Sequence, residues 1–227
     1  MLTTRPIQSR ATRDRPRITL RTRPGASQQA DRQTVAENPN QRFESKARRR
    51  ELLNLLRVKN AAKHLDHMPA PGCSIHGIMR GNYSFCDLIP AVLAMIAPQT
   101  LSYVAATTLG FSQKALLQIL DLLDSRGVAR FDFVCADFFA KADQEICKRA
   151  RAELTRRGSQ FAAARCHAKV LLFATTGGDF YTSESSANIR ACRSIEQFAL
   201  TNDRELFEFH RAWIGEVLDN PEETNKA

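Results

Sequence analysis

His167 and Lys169 stand two residues apart at the head of the apolar run "HAKVLLF". Side chains of a strand alternate between faces, so a strand here puts the imidazole and the ammonium on one face. Val170, Leu172 and Ala168 then take the other. A turn containing Gly177 and Gly178 follows, and "SSAN" returns Ser186 and Asn188. Glu196, in "SIEQFAL", sits on what reads as the next strand. A nucleophile, a cation, two neutral donors and a carboxylate therefore meet at one sheet edge. That set suits attack on a phosphodiester. A neutral imidazole attacks phosphorus and forms a phosphohistidine. Lys169, Ser186 and Asn188 hold the non-bridging oxygens as charge redistributes. A carboxylate on the other ring nitrogen, Glu196, fixes the tautomer and raises the basicity of His167. These donors fill the place an ion would take, so no metal or other cofactor is expected. A bare His-x-Lys pair arises by chance. The Ser-x-Asn and the Glu at workable spacings are what give it meaning.

The surrounding pattern alternates helices and strands from about residue 74. "FCDLIPAVLAMIA" reads as a helix ended by Pro98, and "TLSYVAATTLG" as a strand. Ser112 caps "QKALLQILDLLDSRG", with Gly127 as its stop signal. "ARFDFVCADF" is a second strand, and "KADQEICKRARAELTRRG" a helix. "SQFAAARC", "AKVLLFAT", "DFYTSES" and "SIEQFAL" are further strands. "DRELFEFHRAWIGEVL" closes the chain as an amphipathic helix with Leu206, Phe207, Phe209, Trp213, Ile214 and Val217 inward. This order predicts an α/β sandwich, a mixed sheet flanked by helices. Upstream, "ESKARRRELLNLLRVKNAAKHL" has helical spacing at Leu52, Leu55, Leu56 and Val58. "HMPAPGC" breaks it. The expected divisions are a disordered basic arm over 1–43, a basic helix and linker over 44–73, the catalytic domain over 74–220 and a tail over 221–227.

Charge is distributed unevenly. The net charge is +9, yet residues 1–63 hold sixteen Lys and Arg against five acids, and residues 64–227 hold seventeen against nineteen. A basic arm on a near-neutral body is the layout of a polyanion binder, because each phosphate neutralised releases counterions. Nucleic acid is the expected partner, with Arg48, Arg49 and Arg50 among its contacts. Four prolines in the arm, amid Arg, Gln, Ser and Thr, favour disorder. Six cysteines without a CxxC pair fit reduced thiols in a cytoplasmic protein. His64, His67, Cys73 and His76 match no standard zinc-finger spacing. The longest apolar run, "LIPAVLAMIA", is too short to span a bilayer. The first residues lack the apolar stretch of a secretory signal. They are rich in Arg, Ser and Thr, which resembles a mitochondrial transit peptide, the alternative location.

"HAKVLLF…SSAN…RSIEQFAL" resembles the His-Lys-Asp signature of the phospholipase D superfamily, and is similar to its small single-motif members, which include bacterial endonucleases. The motif covers about a sixth of the chain, and the element order extends the likeness over roughly residues 75–218. The resemblance implies that His167 is the nucleophile, that Lys169, Ser186 and Asn188 bind phosphate, and that Glu196 partners the His. Arg193 lies nearby without an equally firm role. The signature's Asp falls on Ala174, and the Gly before the Ser is Ser185. The resemblance gives that Asp a structural more than a chemical part, so its loss leaves two readings beside each other. One is a metal-independent nuclease. The other is a nucleic-acid-binding protein without turnover. A phospholipid-cleaving enzyme ranks behind both. The family mechanism uses two imidazoles in opposite protonation states. A chain with one motif is therefore expected to borrow the second from a copy of itself in a two-fold homodimer. His210 is the alternative second histidine.

Overall fold

The computed structural model describes residues 46–190 and 194–221, with side chains from residue 51 onward. The arm over 1–43, Cys192, Arg193 and the residues from 222 lie outside this description. Arg48, Arg49 and Arg50 fall within the first helix, but their side chains lie outside it too.

In chain order the strands are β1 (Ser74–Met79), β2 (Leu101–Thr108), β3 (Phe131–Ala136), β4 (Phe161–Ala164), β5 (Val170–Thr175), β6 (Phe180–Ser185) and β7 (Glu196–Asn202). The helices are α1 (Lys46–Leu65), α2 (Leu88–Met95), α3 (Gln113–Ser125), α4 (Asp137–Ala142), α5 (Gln144–Thr155) and α6 (Arg204–Asp219). The seven strands form one mixed sheet in the order β1-β7-β6-β5-β2-β3-β4. β2, β3 and β4 run parallel, joined by helical crossovers. β5, β6 and β7 form an antiparallel meander, and β1 closes its far edge against β7. The two halves meet where β5 pairs antiparallel with β2. This is the expected α/β architecture with a mixed sheet between helical layers.

Two apolar cores explain the layering. On one face, α1, α2, α3 and α5 cover Val104, Phe131, Phe133, Leu171 and Phe173. On the other, α6 places Phe207, Ile214 and Val217 against Ala105, Val134, Val170 and Leu172. All six β3 residues are buried, which is why "FDFVCA" lacks polar alternation apart from Asp132. Asp132 is held by Arg130 Nε at 3.0 Å. Ser112 Oγ accepts the Ala115 N–H at 3.2 Å and starts α3 as the sequence signals. Gly127 ends it with φ +78°, a conformation that costs glycine no Cβ clash.

The differences from the sequence reading have physical causes. β1 was not foreseen, because "SIHGIM" is exposed at alternate positions and contains Gly77, which leaves room for the Phe198 ring. α1 packs on α2 and belongs to the same compact unit as the sheet. Its buried face is Ala61 and Leu65, whereas Leu52, Leu55 and Leu56 are 37%, 52% and 54% exposed. The second strand stops at Ala136, and Phe138 and Phe139 fall on α4. Phe209 is 65% exposed, and His210 takes the inward position next to it.

A buried carboxylate ties three elements of the first core together. Asp87 Oδ2 accepts from Ser84 N–H at 2.6 Å and Ser84 Oγ at 2.7 Å, and Arg57 Nε of α1 lies 3.2 Å away. Gln118 of α3 donates to Oδ1 at 3.3 Å. Only 3% of the Asp87 side chain is exposed.

Candidate active site

β2 and β5 run antiparallel, as do β5 and β6, and β6 and β7. The end of β2, the start of β5, the end of β6 and the start of β7 therefore lie at one end of the sheet. His167 and Lys169 precede β5, Ser186 and Asn188 follow β6, and Glu196 opens β7. All five expected site residues are thus at that end, although they arrive from segments up to 29 positions apart in sequence.

The expected strand face for His167 and Lys169 needs correction, since β5 begins only at Val170. Both residues lie in the approach to the strand. Lys169 is buried, with its Nζ 3.0 Å from His167 Nδ1 and 2.6 Å from the His167 carbonyl oxygen. An ammonium has no lone pair, so Nζ donates to both. Nδ1 is then the acceptor, and the proton of the neutral ring resides on Nε2. The ring nitrogen foreseen for a carboxylate is occupied by Lys169. Burial pushes the Lys169 pKa below the usual lysine range, while Cys166 and Glu196 pull the other way.

Ser186 Oγ donates to Glu196 Oε2 and accepts the Gln197 N–H at 3.0 Å. A hydroxyl has one proton, so Ser186 spends its donor on Glu196. Glu196 also lines a narrow cleft with Arg190, Tyr83 and Ser84. Ser185, in place of the signature's Gly, donates to Gln197 O at 2.6 Å and accepts the Ala187 N–H at 2.9 Å. It ties the turn beneath Ser186 to β7.

Asn188 is held from β2. Its Oδ1 accepts the Leu109 N–H at 3.0 Å, with Thr108 Oγ1 at 3.2 Å. This commits the oxygen inward and leaves the amide NH₂ as the remaining donor. Thr107 Oγ1 donates to Ala168 O at 3.1 Å and accepts the Val170 N–H at 3.0 Å. Thr107 and Thr108 were missed from the sequence. Their signal was a pair of hydroxyls ending the otherwise apolar strand "LSYVAATT".

Ala174, where the signature's Asp would stand, is at the opposite end of β5 and pairs with Phe180 and Tyr103. Five strand residues from Lys169 is about 16 Å. A carboxylate at 174 would sit remote from His167. Tyr181 is buried in the first core. His64 donates or accepts through Nδ1 with Tyr83 Oη at 2.5 Å and packs edge-on against Phe198. Cys73, Cys86, Cys135, Cys147 and Cys166 are free thiols.

His210 is buried on α6, the helix that covers the second core. Its Nδ1 accepts the Trp213 Nε1–H at 3.0 Å, and Nε2 is 3.4 Å from Glu184 Oε1 without hydrogen-bond alignment. Burial holds its pKa below the usual 6.5, against the attraction of Glu184. The folded ring therefore binds fewer protons than the unfolded chain just below pH 6.5. Stability is fully present above that value and is lost as pH falls toward the folded pKa. Urea unfolding is expected to show a lower midpoint at pH 5 than at pH 7.5, with His210→Gln reducing the difference. An equal difference in parent and variant excludes His210 as a cause.

No family model matches this chain, and no curated protein matches its sequence. Solved structures with a similar arrangement include Nuc of Salmonella typhimurium, a phospholipase D family member. It is 14% identical with a TM-score of 0.46, over 63% of this chain and 92% of that one. The phosphatidylserine synthase of Haemophilus influenzae Rd KW20 is 10% identical with a TM-score of 0.43, over 62% of this chain and 38% of that one. A mutant of yeast tyrosyl-DNA phosphodiesterase is 11% identical with a TM-score of 0.37, over 56% of this chain and 30% of that one. The chain thus spans well under half the length of the latter two.

Proposed function

We propose that this chain is a phosphodiesterase of the phospholipase D type, acting on nucleic acid through a phosphohistidine at His167 and without a metal ion. The observation that carries this reading is the contact of Lys169 Nζ with His167 Nδ1 at 3.0 Å, at the sheet end where Asn188 has only its NH₂ left to give. A cation and a neutral donor beside an exposed imidazole suit a tetrahedral anion. The surplus of Lys and Arg in residues 1–63 supports a long polyanion over a single headgroup.

The resting tautomer sets the order of events. Nε2 carries the ring proton while Lys169 donates to Nδ1. Phosphate draws the ammonium onto a non-bridging oxygen, water takes the proton from Nε2 while Nδ1 gains one from water, and Nε2 is left with its lone pair. Nε2 attacks phosphorus, and the bond from phosphorus to the leaving oxygen breaks. That oxygen takes a proton from a second imidazole. Water then attacks the phosphoryl group, gives its proton to the same second imidazole, and the P–N bond breaks. His210 is buried with Nδ1 bonded to Trp213, so the second imidazole is assigned to His167 of a second copy. Glu196 accepts from Ser186, and its part is to orient the 186–188 turn.

The binding-only alternative rests on Ala174. A position about 16 Å from Lys169 along β5 has no place in the chemical step, which favours turnover. The test is incubation of the purified chain with DNA and, separately, RNA in excess chelator, followed by denaturing quench. Cleavage is expected to persist, with an acid-labile, base-stable phosphoprotein. Cleavage only after a divalent metal is restored overturns the mechanism, and tight binding with no cleavage favours the alternative.

A further inference from the structure

The last two residues of β2 grip the two halves of the site from opposite sides. Consecutive strand residues face opposite ways, and Thr107 and Thr108 do so with both side chains fully buried. The two hydrogen bonds of Thr107, to Ala168 O and from Val170 N–H, bracket Lys169 and lie one residue from His167. Where an ordinary ladder would use backbone groups alone, the segment carrying the His-Lys pair is tied to β2 by a side chain. Thr108 Oγ1 accepts the Ile189 N–H at 3.0 Å, and its one proton faces Gly110 O at 3.0 Å and Asn188 Oδ1 at 3.2 Å. It fixes the loop carrying Asn188 in the same way.

We propose that Thr107 and Thr108 are positioning residues of the phosphodiester site. Thr107 sets His167 and Lys169, Thr108 sets Asn188, and their adjacency on one strand fixes the distance between the nucleophile and the amide donor. The inference rests on the reading of the site given under Proposed function. It adds that the site's precision comes from two buried hydroxyls that touch no substrate. Valine has nearly the shape of threonine but would leave the Val170 and Ile189 N–H groups and the Ala168 carbonyl without these partners. Serine keeps the hydroxyl and loses only a methyl group.

The test compares Thr107→Val, Thr107→Ser, Thr108→Val and Thr108→Ser in the full chain. The substrate is bis(4-nitrophenyl) phosphate, and the ¹⁵N shifts of the His167 ring are recorded by NMR beside urea midpoints. Thr107→Val is expected to lower kcat by about 10²-fold at little change in KM, as a misplaced reacting group does. Its Nδ1 and Nε2 shifts should move toward each other as the tautomer is freed. Thr108→Val is expected to raise KM by about tenfold, the effect of one weakened hydrogen bond, with the His167 shifts unmoved. Each serine variant should recover most of the loss. Valine and serine variants that lose activity equally, in step with their unfolding midpoints, would show a purely structural role and overturn the proposal. So would Thr107→Val with parental kcat and ring shifts. If the parent itself does not hydrolyse the diester, the functional reading fails, and the ring shifts alone decide. A change in Thr107→Val that Thr107→Ser lacks upholds the positioning role, and unchanged shifts end it.

Discussion

His167→Ala is expected to lower phosphodiester turnover by about 10⁴-fold, because in the proposed mechanism it removes the attacking atom and with it the covalent route. The fold should survive the change. His167 is exposed and lies outside both apolar cores, so its loss costs stability within about 0.5 kcal/mol. The variant should retain the parent's urea midpoint and yield no phosphoprotein on quenching. Lys169 loses the acceptor at Nδ1 but keeps the carbonyl at 2.6 Å, so it stays near its place and phosphate binding should change little. A variant that still turns over within tenfold of the parent would remove His167 from the chemistry. Residual activity at the same level from a contaminating nuclease would persist in both preparations and be recognised by its metal requirement.

Asp87→Ala is expected to destabilise the protein by about 3 kcal/mol, since it leaves Ser84 N–H, Ser84 Oγ and the Arg57 guanidinium without their shared acceptor. For a chain of this size that is a fall in Tm of roughly 6–12 °C. The effect falls on the junction of α1, the 84–87 turn and α3, and of the residues around the site it reaches Ser84, which lines the cleft with Glu196. Asp87→Asn keeps an acceptor of similar shape and should cost less. Because Arg57 is partly exposed, its charge can find water once freed. Arg57→Met in the Asp87→Ala background is therefore expected to recover only part of the loss. An Asp87→Ala protein that melts with the parent would show that water replaces the carboxylate without cost.

The sequence made some parts of this molecule plain and hid others for identifiable reasons. Periodicity marked α3 and α6, and the Ser112 cap marked the start of α3; in the structure Ser112 and Asp203 each accept the N–H three residues on. Long apolar runs marked β2, β3 and β5. β1 was hidden because it is short, exposed at alternate positions and interrupted by Gly77. The α6 assignment misplaced Phe209, since hydrophobicity alone ranks phenylalanine above histidine. The helix instead turns His210 inward, where Trp213 supplies a donor. At the site, residue types and spacing brought His167, Lys169, Ser186, Asn188 and Glu196 to the same sheet end. Pairings were not legible. Lys169 on Nδ1 and Ser186 on Glu196 depend on where β5 and β7 begin, and a one-residue shift in a strand start redirects each side chain. The roles of Thr107 and Thr108 depend on partners 61 to 81 positions away, which no local pattern encodes.

The seam between β2 and β5 carries a consequence for how the chain assembles. The meander β5-β6-β7 lies within 33 consecutive residues and closes short loops, whereas the pairing of β2 with β5 must span more than sixty. Short-range contacts form at smaller entropic cost than long-range ones. The hairpins can therefore be native while the nucleophile is still unplaced. Competence would then be among the last properties gained in refolding and among the first surrendered in denaturant, ahead of any change in helical signal.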